Sequence, residues 1–439
     1  MHSNSLFFAF ATLSIVTVAF ADSTVSDVTL EQPAGDRAVT ITYKLTGDDA
    51  IITVDLLKDG VPIGDEHLTT LCGDVNRLVT ASETDVRTVI WHPDLDWPGR
   101  RKLPLVAKVT AWSKSAPPDY MVVDLTTGKL DSGTIVYYTS TNAFPKGGLM
   151  NDIYRTDKMV FRKIPAKGVN WRMGSPANEL GRSEDEAPHL VTLTKDYWFG
   201  IFPVTQGQLK WIWPTVKLED FCLFTNVTSA ATRPVQGLGY KTVRSWTKNY
   251  WPDAKHDVDG GTYISSIREI FGGTVIFDLP TEAQWEYAAR AGKGTSLNDG
   301  HNLESATTDA WLGALGRYEK NCGVIDSGLN TDRTVDDSVG TSKVGIYPPN
   351  AWGIYDIHGS VADLCLDRYA AFVESGDVTV DPKGATSGSI YVARGGFWGF
   401  VTSKGASRCR LASRYQVSLD TNKLNTWRHI GMRLCIEIE

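Results

Sequence analysis

No lysine or arginine cluster in this 439-residue chain is large enough for a nucleic-acid footprint, and 44 basic against 51 acidic residues leave a formal charge of −7. There is thus no basic footprint on which DNA or RNA could sit. No C-x-x-C pair occurs and the eight histidines are scattered, which removes the ligand spacing of a zinc site. No repeat of fixed period is present, so a solenoid or propeller array is excluded. Apart from one N-terminal stretch, no run is long and apolar enough to span a bilayer. What is abundant is glycine (40) and tryptophan (14), in a chain 42% hydrophobic and 22% charged. That balance fits turn-dense globular units with aromatic packing, and the length implies two of them.

The apolar exception runs from Leu6 to Phe20 and ends in Ala19-Phe20-Ala21, the small-x-small pattern of a signal-peptidase site. Residues 1–21 are therefore expected to be a signal peptide cleaved after Ala21, with export to periplasm, cell surface or medium and no membrane span afterwards. The basic residue that usually precedes such a core is missing, which leaves an uncleaved anchor as the alternative. The run is, however, shorter than the roughly 20 residues a span needs. All six cysteines, Cys72, Cys222, Cys322, Cys365, Cys409 and Cys435, follow that site. An exported chain meets an oxidising compartment, so disulfides are possible. Cys72, the one cysteine of the N-terminal part, is expected to be a buried free thiol.

Residues 22–140 read as an all-β sandwich of immunoglobulin or fibronectin type. AVTITYKL, AIITVDLLKDGVPIG, RTVIWHP, LVAKVTAW and YMVVDL are short alternating runs separated by Gly, Asp and Pro turns. Asp59-Gly60 marks a hairpin. Trp91, Trp97 and Trp112 are expected to pack internally; a sugar-binding role for them is the alternative. Residues 141–150, with Asn, Pro and Gly-Gly, read as a linker. From 151 to 439 strands become brief and loops long. One helix stands out in LPTEAQWEYAARAGKG: Thr281 caps it, Gln284 completes a capping box, Ala283, Trp285, Tyr287 and Ala288 form its apolar stripe, and Gly292 ends it. Thr205 caps a second helix in FPVTQGQLKWIW.

The segments WRMGSP (171–176), EAPHLVTL (186–193), FPVTQGQ (202–208), LPTEAQWEYAARAG (279–292), PPNAWGIYDIHGSVADL (348–364), ARGGFW (393–398), CRLASR (409–414) and IGMRL (430–434) resemble, in order, those of the formylglycine-generating enzyme (sulfatase-modifying factor) family. The resemblance implies an α+β domain, a compact variant of the C-type lectin fold low in regular secondary structure, often stiffened by calcium. Four positions supply calcium oxygens in that family, and they fall here on the side chains of Asp356 and Asp363 and the carbonyls of Gly359 and Val361. Oxygen donors of this kind are what a hard cation takes. A second family site falls on Asn321, the Cys322 carbonyl, Asp336 and the Ser338 carbonyl. Trp285, Glu286, Arg290, Arg394 and Arg414 correspond to fold-forming residues, the arginines expected to pair with carboxylates. His189 and His358 are expected to be hydrogen-bonded framework residues. Cys365 and Cys409 match cysteines of bacterial relatives, which implies a Cys365–Cys409 disulfide.

Aerobic members of the family oxidise a substrate cysteine with two cysteines that hold Cu(I), a soft ion selected by thiolates. Those positions fall here on Phe400 and Gly405, so copper is not expected. The family's serine after Gly-Gly is Phe397, and the asparagine and tryptophan of its G-N-V-W-E-W motif are Ser360 and Ala362. The resemblance therefore favours a non-catalytic binding or structural protein, a pseudoenzyme with an unidentified protein, peptide or glycan ligand. The alternative is a formylglycine-generating oxidase acting on sulfatases. Iron-dependent sulfoxide synthases share the fold but need a helical N-terminal domain with a histidine triad. Before residue 151 only His67 and His92 follow the expected cleavage site, and nothing there reads as helical.

Overall fold

The computed structural model describes residues 22–99, 104–128, 134–145, 147–245, 257–323, 338–399, 405–418 and 428–438; the expected signal peptide lies outside them. The chain divides into two compact units, Met1–Tyr120 with Val136–Met150, and Met121–Ile135 with Asn151–Glu439.

The first unit contains β1 (Thr24–Glu31), β2 (Val39–Thr46), β3 (Ala50–Lys58), β4 (Val61–Pro62), β5 (Cys72–Gly73), β6 (Arg77–Val79), β7 (Val86–Trp91), the single turn α1 (Pro93–Asp96) and β8 (Leu105–Trp112). One sheet has the order β1-β2-β7-β5; the other has β4-β3-β6, with β8 along β3. In β2 the alternation VTITYKLT places Val39, Ile41, Tyr43 and Leu45 on one face, and all four are buried, as a period of two requires. They join Ile52, Leu56, Trp91 and Val109 from the other strands in one apolar core. The Tyr43 hydroxyl is satisfied by the Asp74 carbonyl at 2.6 Å. Asp59 and Gly60 connect β3 to β4 with φ of 52° and 81°, the paired left-handed residues of a two-residue hairpin turn. Trp91 is buried as expected and donates to the His67 carbonyl at 2.9 Å, whereas Trp112, which donates to Thr53 Oγ1 at 2.8 Å, and Trp97, which stacks on His67, are half-buried. Cys72 differs. It lies on β5, a two-residue strand at the sheet edge, and its thiol is exposed rather than buried.

The segment YMVVDL also differs. It forms β9 (Tyr120–Asp124), and Met121–Ile135 groups with the second unit instead of the first. Met121, Val122 and Val123 are all buried, so this run is covered on both faces and is not a half-exposed alternating strand. β9 lies beside β11 (Lys158–Ile164), where Lys158 meets Asp124 at 2.8 Å. β10 (Ile135–Tyr138) follows, and residues 141–150 carry short turns at Thr141–Ala143 and Gly148–Met150.

The second unit continues with β12 (Asn170–Met173), β13 (His189–Thr192), β14 (Tyr197–Gly200), β15 (Gly316–Arg317), β16 (His358–Gly359), β17 (Ala362–Arg368), β18 (Val378–Val380), β19 (Ile390–Arg394), β20 (Arg414–Ser418), β21 (Ile430–Gly431) and β22 (Cys435–Glu437). Its helices are α2 (Ile153–Thr156), α3 (Gln206–Ile212), α4 (Tyr240–Val243), α5 (Tyr263–Ile270), α6 (Glu282–Arg290) and α7 (Ala310–Leu315). The small sheets run β9-β11-β14-β22, β12-β13-β18 and β20-β19-β17-β21. The predicted capping box of Thr281 with Gln284 forms on α6, and Thr205 caps α3 as expected, completing an unpredicted capping box with Gln208; each is worth about 1 kcal/mol. Helix α6 ends at Arg290, two residues before Gly292, with the intervening Ala291 left-handed at φ 44°, and all nine of its residues are buried, not a stripe alone.

Strands this short leave many backbone carbonyls without a ladder, and buried guanidiniums take them up. Arg394 donates to the carbonyls of Leu411, Ala412 and Ser413 and to Glu286. Arg290 meets the same Glu286 at 2.7 Å, and Arg414 grips Glu282 at 2.6 and 2.8 Å. Arg410 meets Glu186 at 2.7 Å and Glu179 at 2.5 Å. Burial alone would push the Glu286 carboxyl up, but Arg290 and Arg394 hold it below the ordinary range.

Candidate functional site

The Arg-Gly-Gly turn after β19 fixes the position where the family's chemistry resides. Gly395 and Gly396 have φ of 96° and 74°. A Cβ on Gly396 would lie 2.5 Å from Cys409 Sγ, so only glycine lets the turn pass this close. The turn delivers Phe397, 4% exposed, onto the His429 ring, with centroids 3.9 Å apart. Tyr415 packs edge-on against both rings, and the Arg408 guanidinium lies 5.4 Å from the centre of Phe397 and 5.6 Å from that of Tyr415. A small cleft is lined here by Gly181, Ser183, Phe397, Ser407, Arg408 and Tyr415 among others.

Two titratable groups among the described residues near this cleft, His429 and Cys409, are held in their neutral forms. Burial first, and then the Arg408 charge, lower His429 to about 3, so its imidazole is neutral at physiological pH. Burial raises the nearest thiol, Cys409, to about 12; it is a thiol, whereas Cu(I) selects thiolates. Of the two copper-cysteine positions, Phe400 lies outside the described residues. Gly405 is left-handed at φ 41°, and a Cβ there would stand 2.1 Å from the Thr307 carbonyl oxygen.

The first expected calcium set spans β16 and the turn that leads into β17. Asp356 and Asp363 are 4% and 1% exposed, and Gly359 and Val361 are buried between them in sequence. Asp356 Oδ2 accepts from the Gly345 amide at 2.7 Å, and burial raises this carboxyl to about 6 against the pull of Gly345, Arg433 and Arg155. Asp363 Oδ2 accepts from Trp285 Nε1 and Arg433 Nε, both at 3.0 Å. Asp363 Oδ1 and Ser360 Oγ are buried without a partner. An orphaned carboxylate oxygen beside a second desolvated carboxylate fits a hard cation in kind, with Arg433 already offsetting part of the charge. Among the described residues no three His, Cys, Asp or Glu side chains come together as a metal cluster, so a cation here would depend on backbone oxygens.

In the second set, Asn321 Oδ1 accepts from the Tyr318 amide at 2.7 Å, and its Nδ2 donates to the Gly316 carbonyl at 2.9 Å. The Cys322 carbonyl accepts from Gly340 at 2.8 Å, and Ser338 lies against Gly323. Asp336 lies outside the described residues. The Asn321 side chain thus ties down the end of α7 in this structure.

The expected Cys365–Cys409 disulfide is not formed: all six cysteines are free, and five of them are buried. Their surroundings differ. Cys365 lies among Glu282, Asp367, Arg394 and Asp363, whereas Cys409 belongs to the apolar cluster of Leu297, Leu312, Leu315, Tyr318 and Ala406. The histidines are framework residues. His358 Nδ1 lies 2.6 Å from the Cys409 carbonyl while its Nε2 accepts from Asn298 at 3.1 Å, and His189 packs on Phe372. Sequence reasoning missed Arg408, Tyr415 and His429, none of which lies in a segment quoted for its chemistry.

Comparison with known proteins places these observations. The profile of the "Sulfatase-modifying factor enzyme 1-like domain" matches residues 155–438. The Formylglycine-generating enzyme of Thermomonospora curvata is 29% identical over 152 residues, covering 34% of this chain and 46% of that protein. That of Mus musculus is 32% identical over 148 residues, 34% of this chain and 37% of that protein. The Inactive C-alpha-formylglycine-generating enzyme 2 of Bos taurus is 34% identical over 95 residues, 21% of this chain and 27% of that protein. The chain thus spans less than half the length of these curated relatives. Among solved structures, Treponema denticola variable protein 1 aligns with a TM-score of 0.43 at 22% identity, covering 64% of this chain and 95% of that one. With a family profile matched across most of its length, the chain belongs to the sulfatase-modifying factor enzyme 1-like family.

Proposed function

We propose that this is an exported protein in which the sulfatase-modifying-factor domain is a non-catalytic binding or structural module. The observation that carries the proposal is at position 405. The backbone conformation and the Thr307 carbonyl leave no room for a side chain where the family needs a thiolate, and the nearest thiol is held protonated. The family includes relatives named as enzymes and relatives named as inactive, so membership alone is compatible with either. The test is to incubate the purified chain with Cu(I), oxygen and a peptide containing C-x-P-x-R and to look for the aldehyde by mass spectrometry. Absence of product is expected; sustained turnover would establish the oxidase instead.

The same proposal includes three subsidiary points. The first unit is a fibronectin-like sandwich appended to the family domain. Residues 1–21 direct export and are removed; among the described residues no helix is long and apolar enough to cross a membrane. Calcium, when bound, is held by Asp356 and Asp363 with the carbonyls of Gly359 and Val361, and it stiffens the turn before β17. Adding a chelator should then lower the melting temperature of the wild type but not of Asp363→Asn.

A further inference from the structure

One tripeptide in the chain satisfies Asn-x-Ser/Thr with x other than proline, and it is Asn226-Val227-Thr228. Every other asparagine lacks a serine or threonine two positions on. The tripeptide lies outside the helices and strands, in the connection between the short turns Leu218–Asp220 and Ala230–Thr232. Asn226 and Thr228 are exposed, whereas Val227 between them is half-buried and packs on the cluster of Leu223, Phe224, Cys322 and Trp398. The Val227 carbonyl also accepts from the Ala230 amide at 3.0 Å. The middle residue thus ties the tripeptide to the domain, while the carboxamide and the hydroxyl on either side of it are left in solvent.

We propose that Asn226 is an acceptor for an N-linked oligosaccharide. The inference rests on the export proposed above, because the donor, a polyprenyl diphosphate-linked oligosaccharide, and its transferase act on the far side of the exporting membrane. In the transfer, Asn226 Nδ2 forms a bond to the anomeric carbon of the first sugar as the bond from that carbon to the diphosphate breaks. The lipid diphosphate leaves with the bonding pair, the carboxamide loses one proton, and nothing is oxidised or reduced. An acceptor of this kind belongs on a surface loop of an exported protein. Transfer meets the chain before folding is complete, so what the folded protein has to provide is room for the substituted amide. At Asn226 that room is solvent, whereas a glycan on the buried Asn298 or Asn350 would exclude the fold. The attached sugar is bulky and hydrated, so the face carrying this turn is not the one on which a protein partner docks.

The experiment is expression in a eukaryotic cell line of two forms, the full chain with its own residues 1–21 and residues 22–439 behind the host's leader. Intact mass and peptide mapping are read before and after treatment with peptide N-glycosidase F in heavy-oxygen water. Most secreted molecules should carry an oligosaccharide mass increment on the peptide containing Asn226, and the enzyme should remove it, leaving labelled aspartate at that position. Asn226→Gln and Thr228→Ala should each lose the increment, and Thr228→Ser should retain it at least in part, with circular dichroism checking that the variants fold. If a variant does not fold, mapping of the wild type still decides. A bare Asn226 in the secreted chain, or an increment that survives Thr228→Ala, overturns the proposal. The two forms separate the layers. Retention of the first form with its leader uncleaved removes the export reading while the second form still decides the acceptor, and secretion of both forms without a glycan removes only the acceptor.

Discussion

Replacing Glu286 by glutamine should destabilise the family domain more than any surface change. Glu286 has no exposed side-chain area, and it accepts from the Gly174 amide at 2.9 Å, from Arg290 at 2.7 Å and from Arg394. The two arginine side chains are 8% and 0% exposed. Glutamine keeps the shape and one acceptor but removes the charge, leaving two guanidiniums short of an anion in a site water does not reach. Breaking a buried ion pair in this way costs about 3–5 kcal/mol. For a domain of this size each kcal/mol moves the midpoint by about 2–4 °C, so calorimetry should record a fall of roughly 6–20 °C. The pH dependence gives a second readout. The folded carboxyl is depressed, so its stabilisation is complete above the unfolded carboxylate range, about 4.3, and is lost as pH falls through the folded value. The variant should therefore be flatter than the wild type in acid. A shift of less than about 2 °C would mean that the guanidiniums are rehydrated or re-paired, and that the network does not hold the domain together as described.

Three other outcomes follow from the same packing. Of six cysteines only Cys72 is exposed, and burial pushes Cys222 and Cys409 to about 12, so native protein should release one thiol equivalent to a chromogenic disulfide and unfolded protein six. A count of four after unfolding without reductant would restore the Cys365–Cys409 bond. Asp367 is raised to about 8 by burial and then by Glu282, while accepting the Glu282 amide at 2.7 Å. The folded state then holds a proton the unfolded state has lost, and stability falls as pH rises between about 4 and 8. Asp367→Asn should remove a slope of about 1.4 kcal/mol per pH unit, most visibly between pH 6 and 8 in denaturant titrations; an unchanged slope would refute the assignment. Gly405→Cys, alone or with Phe400→Cys, should lose more than about 2 kcal/mol, since a Cβ meets the Thr307 carbonyl, and should gain no aldehyde-forming activity. A stable double variant that oxidises peptide would show that the loop yields easily.

Local signals in the sequence were legible wherever a few adjacent residues determine the geometry. Thr281-x-x-Gln284 marked its capping box, Thr205 the start of α3, Asp59-Gly60 its hairpin, and the quoted family segments the second unit. Long-range partnerships were not legible. The pairing of arginines with carboxylates was expected, but Arg410 with Glu179 and Glu186, and Arg433 with Asp363, join residues far apart in the chain. Met121–Ile135 was assigned to the wrong unit because three consecutive buried residues carry no period to distinguish one core from another. The Cys365–Cys409 pairing came from resemblance alone. The aromatic lining of the cleft was half visible: Phe397 stood out as a substitution for serine, but its partners Tyr415 and His429 come from β20 and the residues before β21 and meet it only in the fold.

A domain with so little ladder has to obtain its rigidity elsewhere, and α6 is where the network converges. Its Glu282 and Glu286 anchor Arg414 and Arg394, and its Trp285 donates to Asp363, which also holds Arg433. None of these contacts involves Gly405. On the function proposed above, the scaffold and the chemistry are separable: a change at 405 leaves the hub contacts in place, whereas losing Glu286 does not. Arg414 belongs to both regions, since it is tied to α6 through Glu282 and lines the cleft beside Arg408. The hub thereby fixes one wall of the cleft, so the site can change what it binds without changing how it is held.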